Sequence, residues 1–216
     1  MKHVFLTGIP GVGKTTLVKK VCEAVVSSGV TVNGFYTEEV RERGRRVGFD
    51  VVTVSGERGR LSRVRYFLCL SLSMRQSLLV CMLFQSSTNT LSDSSAESTT
   101  DRREYRVGQY AVDLQSFESV ALPLFRDMRE GNRRVFVIDE IGKMELFSQP
   151  FIRAVRHTLD SSSCSILGTI PVPKGKPLAL VEEVRSRQDV KIFMVTKENR
   201  ERIFDDIVSA LKECLK

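Results

Sequence analysis

Residues 8–15 read Gly8-Ile9-Pro10-Gly11-Val12-Gly13-Lys14-Thr15, a G-x-x-x-x-G-K-T string that constrains this 216-residue chain more than any other feature. A short apolar run, Val4-Phe5-Leu6, precedes it. Leu17, Val18, Val21, Ala24 and Val25 follow at helical spacing, and Gly29 ends the period. The order strand, glycine loop, helix has a chemical reason. Glycines let successive backbone N–H groups converge on a phosphate with no Cβ in the way, and the helix N-terminus adds its positive end. In that frame Lys14 sets a charge between the β- and γ-phosphates, and Thr15 offers a hydroxyl to Mg²⁺.

Val135-Phe136-Val137-Ile138-Asp139-Glu140 is the second constraint. Four consecutive apolar residues suit a strand covered on both faces. Asp139 at its C-terminal end is placed to hold Mg²⁺ through water, and Glu140 to orient and deprotonate an attacking water. Alone the string is also the ordinary end of a strand. Beside the glycine loop it gains weight, because a parallel α/β fold gathers strand ends at one edge.

Between these segments the pattern predicts strands over 30–36 and 45–54, with a third strand-like run over 105–112. The last two are expected to pair as antiparallel ribbons beside the main sheet. Helical spacing spans Phe117–Met128 and is ended by Gly131-Asn132, with Pro123 inside. Further on, helices are predicted over 151–159, 178–184 and 203–211, and strands over 165–167 and 190–195. Strands alternating with helices predict an α/β domain: a mostly parallel sheet, helices on both faces, and an antiparallel hairpin region.

Residues 66–102 break the pattern inside what otherwise reads as one domain over 1–216. Tyr66–Phe84 is 19 mostly apolar residues without a clean period, and 85–102 is Ser/Thr-rich with a disorder-type composition. A membrane span is disfavoured, because Arg75 and Gln76 would sit at its centre. The segment is read as an atypical, poorly ordered insertion. The first apolar run is too short for a signal peptide. Five cysteines without a CxxC pair indicate scattered thiols in a reducing, cytoplasmic setting rather than a zinc site or disulfide framework.

Lys and Arg exceed Asp and Glu by 33 to 26, and the sequence pI is near 9.3. Residues 41–65 hold eight Arg against three acids. Such a balance admits nucleotides, nucleic acid or acidic membrane as partners. The run Arg41, Arg43, Arg45 and Arg46 reads first as a solvated hairpin. A nucleic-acid role is not favoured, because few aromatics interleave with it.

Five stretches carry a closer likeness: HVFLTGIPGVGKTTL, GFYTEEVRERGRRVGFDVVTVSG, VIDEIGKMELF, GTIPVPKGKPLALVEE and VTKENR. Together they resemble a small family of P-loop nucleoside-triphosphatases first known from thermophilic microbes. The resemblance spans 1–65 and 103–216; the family has a shorter connection where this chain has 66–102. It implies Mg²⁺-dependent hydrolysis of ATP, GTP, CTP, UTP and TTP, with diphosphates used more weakly. It lends nucleotide contact to Gly8 through Thr15, to Thr16, and to Val135 through Asp139, Glu140, Ile141 and Gly142.

Weaker signals complete the reading. Lys143, three residues after Glu140, is a candidate to stabilise charge on the transferring phosphoryl group. Thr196-Lys197-Glu198-Asn199 stands where guanine-specific enzymes place N/T-K-x-D. An amide at Asn199 has one acceptor group where a carboxylate has two, which predicts poor base discrimination. Thr196 is alternatively the cap of the last helix. The Pro/Lys loop at 171–177 is a candidate lid. The expectation is a monomeric Mg²⁺-dependent nucleoside-triphosphate phosphohydrolase with catalytic Lys14, Glu140 and Lys143, metal ligands Thr15 and Asp139, and no membrane partner. Its rivals are a small-molecule kinase on the same fold and a nucleotide-dependent RNA-binding module.

Overall fold

The computed structural model describes residues 1–64, 105–126 and 134–215. The expectations for 66–102, and for a helix stop at Gly131-Asn132, lie outside them. In chain order the elements are β1 (His3–Gly8), α1 (Lys14–Val26), β2 (Thr31–Glu42), β3 (Arg45–Thr53) and β4 (Arg58–Val64). Next come β5 (Arg106–Val107), β6 (Tyr110–Val112), α2 (Leu114–Arg126) and β7 (Arg134–Asp139). A 3₁₀ turn (Glu145–Phe147), α3 (Gln149–Asp160), β8 (Ser165–Pro171), α4 (Ala179–Ser186), β9 (Val190–Met194) and α5 (Phe204–Cys214) complete the elements of the described residues.

The nine strands of the described residues form one sheet, in the order β5-β6-β4-β3-β2-β7-β8-β1-β9. From β2 to β9 neighbours are parallel, and from β2 outward to β5 they are antiparallel. The expected α/β fold, helices on both faces and antiparallel region are all present. The alternation of side chains along a strand explains the two faces. On β1, Phe5 enters a core with Phe35, Phe117, Phe136, Phe151 and Leu180, under α2, α3 and α4. Val4 and Leu6 point the other way, into a core with Leu17, Val18, Val21, Ile207 and Leu211 from α1 and α5. Local chemistry sets the start of α3: the Ser148 hydroxyl accepts the Phe151 N–H at 3.1 Å, with Pro150 in the first turn.

Two expectations need correction. The run at 105–112 is not one strand paired with 45–54. It is a tight hairpin, β5 and β6, turning at Gly108 (φ +57°). Between it and β3 lies β4, a strand the periodicity does not announce. β4 reads RGRLSRV, and two of its three arginines pair with acids across the sheet. Arg58 reaches Glu38 at 2.5 Å and Asp50 at 3.2 Å, and Arg63 reaches Asp50 at 2.6 Å. Thr196 does not cap the last helix: α5 opens after Ile203, with no side-chain cap.

Candidate active site

The glycine loop leaves β1 at Gly8 and enters α1 at Lys14. A Cβ on Gly8 would stand 2.5 Å from the Val195 carbonyl, so the loop starts only where no side chain exists. Gly11 (φ +76°) and Gly13 (φ +103°) take left-handed backbone, which turns the loop over the helix end. Val12 alone dips into the core, while Ile9 is exposed. The first turn of α1 has no side-chain cap and no acidic residue, so its N–H groups stay available to an anion.

Lys14 Nζ is nearly buried, donates to the Gly8 carbonyl at 3.0 Å and lies 3.9 Å from Glu140 Oε2. Strand β8 stands between β1 and β7, so the ends of the two motif strands are roughly 9–10 Å apart, two strand spacings. Lys14 spans that gap. Loss of solvent raises the Glu140 carboxyl above its usual range; Lys14 opposes the shift and Asp139 adds to it.

Asp139 is buried, with Thr169 Oγ1 of β8 donating to its Oδ1 at 2.5 Å. Its Oδ2 is equally buried and has no hydrogen-bond partner among the described residues. Burial pushes this carboxyl upward against the hydroxyls of Thr15 and Thr169 and the charges of Lys14 and Lys19. An unpartnered carboxylate oxygen beside the Thr15 hydroxyl is a hard-oxygen donor pair suited to Mg²⁺. Among the described residues no group of three His, Cys, Asp or Glu could hold a metal alone, so an ion there would need phosphate oxygens as well.

Thus Lys14, Thr15, Asp139 and Glu140 meet at one edge, as the sequence predicts. Ile141 and Gly142 form the turn behind them, the Ile141 N–H donating to the Thr169 carbonyl at 2.9 Å. Val135 through Ile138 are core rather than contact surface. Lys143 is exposed and makes no hydrogen bond or ion pair among the described residues. It lines a separate cleft with Leu146, Ile152, Arg156 and Lys176. Thr16 and Gly13 line a cleft of about 590 Å³ along α1 with Lys20, Arg200 and Phe204, a volume suited to the nucleoside end of a nucleotide. Asn199 has its amide engaged within its own loop: Oδ1 accepts the Thr196 N–H and Nδ2 donates to the Met194 carbonyl, both at 2.8 Å.

Three residues at this edge escape the sequence reading. Thr169 fixes Asp139; Arg185 reaches across from α4 to the Thr7 hydroxyl (3.2 Å) and the Pro171 carbonyl (2.5 Å) just below the glycine loop; and Glu145 is buried beside Glu140. None of the three carries a signal in the sequence: Thr169 lies beyond the strand predicted over 165–167, and β8 in fact runs on to Pro171.

The geometry agrees with known proteins. The NTPase family model matches residues 3–208. The human cancer-related nucleoside-triphosphatase is 56% identical, the match covering 100% of this chain and 99% of that protein. The solution structure of a human cancer-related nucleoside triphosphatase superposes at a TM-score of 0.75 with 55% identity, over the whole of both chains. The crystal structure of THEP1 from the hyperthermophile Aquifex aeolicus gives 0.70 with 33% identity, over 98% of this chain and 99% of that one. On motif, fold and full-length similarity alike, the chain belongs to the NTPase family.

Proposed function

We propose that this protein is a Mg²⁺-dependent nucleoside-triphosphate phosphohydrolase accepting ATP, GTP, CTP, UTP and TTP, with diphosphates used more weakly. The observation that carries the reading is the convergence of Lys14 and Glu140, 3.9 Å apart at the mouth of the glycine loop. The relatives' names, nucleoside-triphosphatases in human and Aquifex aeolicus, support it.

The loop N–H groups from Gly8 to Thr15 and the Lys14 ammonium bind the β- and γ-phosphates. Thr15 and Asp139 would hold Mg²⁺, which when bound neutralises phosphate charge. Glu140 orients a water in line with the γ-phosphorus and accepts its proton. Its partial desolvation serves that task, because a raised carboxyl is a stronger base. As the P–O bond breaks, charge shifts onto the leaving oxygen, where the loop N–H groups stabilise it. Lys143 is the second cation proposed for the transferring group. With the Asn199 amide tied into its loop, no base-reading carboxylate is supplied at that position, and base breadth follows. We also propose a monomer in a reducing compartment. The Cys22 thiol, pushed up to about 11 by burial, is held in its protonated form.

The test is phosphate release from ATP, GTP, CTP and UTP, with and without Mg²⁺. Release from all four, within about tenfold in kcat/KM (~1.4 kcal/mol) and dependent on Mg²⁺, is expected. Release from one base alone, or phosphorylation of an added nucleoside in place of free phosphate, would sink the reading.

A further inference from the structure

Behind Glu140 the chain carries a second carboxyl that the chemistry above does not use. Glu145 opens the 3₁₀ turn that links β7 to α3 and is 3% exposed. Its Oε2 accepts the Gly142 N–H at 3.1 Å in a buried setting. Gly142 is the seam between the two acids. A Cβ placed there would lie 2.7 Å from Glu140 Oε1 and 3.0 Å from Glu145 Oε2. The absence of a side chain at 142 lets both carboxyls crowd one spot. The same turn is pinned twice more, by the Ile141 N–H on the Thr169 carbonyl (2.9 Å) and the Leu146 N–H on the Gly142 carbonyl (3.1 Å).

These contacts fix the backbone from which Glu140 projects. Of the groups pinning 141–142, Glu145 alone is a side chain whose removal leaves a buried N–H without a partner. Glu140 thus has its Oε1 at the Gly142 seam and its Oε2 3.9 Å from Lys14 Nζ. We propose that Glu145 is a positioning residue for the hydrolytic step: by holding the Gly142 N–H it fixes the aim of Glu140 at the attacking water.

This rests on the reading of Glu140 as base. Burial also keeps Glu145 uncharged near neutrality, its pKa pushed up to about 8, with the neighbouring Glu140 adding to the shift. Glu145 therefore supports Glu140 without setting a second full negative charge beside it.

Steady-state MgATP hydrolysis by the full chain tests the proposal. Glu145→Gln keeps an oxygen for the Gly142 N–H and should hold kcat within about threefold. Glu145→Met fills the same space without an acceptor and should lower kcat about 10–100-fold at a KM within about twofold, the scale expected when a reacting group is misaimed. In a Glu140→Gln background, Glu145→Met should cost less than about twofold more, because there is no base left to aim. If melting shows Glu145→Met unfolded, Glu145→Asp takes its place, its shorter side chain withdrawing the acceptor, with the same loss expected. Three results overturn the proposal alone, provided Glu140→Gln is inactive. They are parent-like kcat per folded molecule in the Met or Asp variant, a Gln variant as slow as the Met variant, or multiplicative loss in the double variant. Parent-like turnover of Glu140→Gln overturns the base assignment and this proposal with it.

Discussion

Lys14 and Glu140 face each other, yet substitution should separate their work. Glu140→Gln keeps size and polarity but loses the base. We predict kcat lower by about 10²–10⁴-fold with ATP binding retained; near-normal turnover would remove Glu140 from the mechanism. Lys14→Ala should raise KM and lower kcat together, because its charge meets the phosphates in the ground state as well as at the transition state. Pairing steady-state rates with direct ATP binding distinguishes the two patterns. Asp139 and Glu140 could be read directly, because strand-end acids beside a glycine loop have a fixed chemical meaning. Glu145 could not. Met144, Glu145 and Leu146 read like the start of any helix, and the nearness of Glu145 to Glu140 arises only when the 3₁₀ turn folds the chain back over Gly142. Thr169 is hidden for a related reason: its meeting with Asp139 depends on β8 pairing with β7, not on spacing along the chain.

At the scale of elements, the loop from β9 to α5 ties its own polar groups together. Asn199→Asp replaces the donor that meets the Met194 carbonyl with a carboxylate oxygen, setting acceptor against acceptor. We predict a loss of about 0.5–1.5 kcal/mol in urea unfolding, the scale of one solvent-accessible hydrogen bond, and a GTP-to-ATP ratio of kcat/KM changed by less than about threefold. A tenfold turn toward GTP with stability intact would instead place the residue 199 side chain against the base. The parallel body was legible because its strands are apolar runs separated by amphipathic helices. β4 was not, since Leu61 is its sole fully buried apolar residue and Arg58 and Arg63 find their partners on β2 and β3. The antiparallel extension is stabilised in part by these cross-strand ion pairs, and composition alone shows only a basic run. The expectation of a nucleotide role for 141–142 came from the resemblance to a known family, not from periodicity.

For the molecule as a whole, two buried titratable groups sit at opposite edges of the parallel sheet, and they predict opposite responses to pH. His3, at the start of β1, accepts the Ile166 N–H at Nδ1 and faces the Leu159 carbonyl through Nε2, each at 3.0 Å, which requires the neutral ring. Burial lowers its pKa to about 4. The unfolded chain binds this proton near pH 6.5, so the stability His3 contributes is complete above 6.5 and is lost as pH falls through 4. Glu145, beyond the C-terminal end of β7, behaves in reverse. With its pKa raised to about 8 from 4.5, its contribution is complete below 4.5 and is lost as pH rises through 8. The two slopes oppose each other between pH 4.5 and 6.5. Above 6.5 the Glu145 slope stands without the His3 one and should remove on the order of 2 kcal/mol by pH 8, at about 1.4 kcal/mol per unit. Urea unfolding across pH 4–9 checks this by difference. Glu145→Gln should flatten the curve between 6.5 and 8 relative to the parent, while His3→Gln should flatten the acid side between 6.5 and 4. Parallel curves for parent and Glu145→Gln above pH 6.5 would show that Glu145 is already ionised in the native protein, and that its burial is compensated by a charge partner.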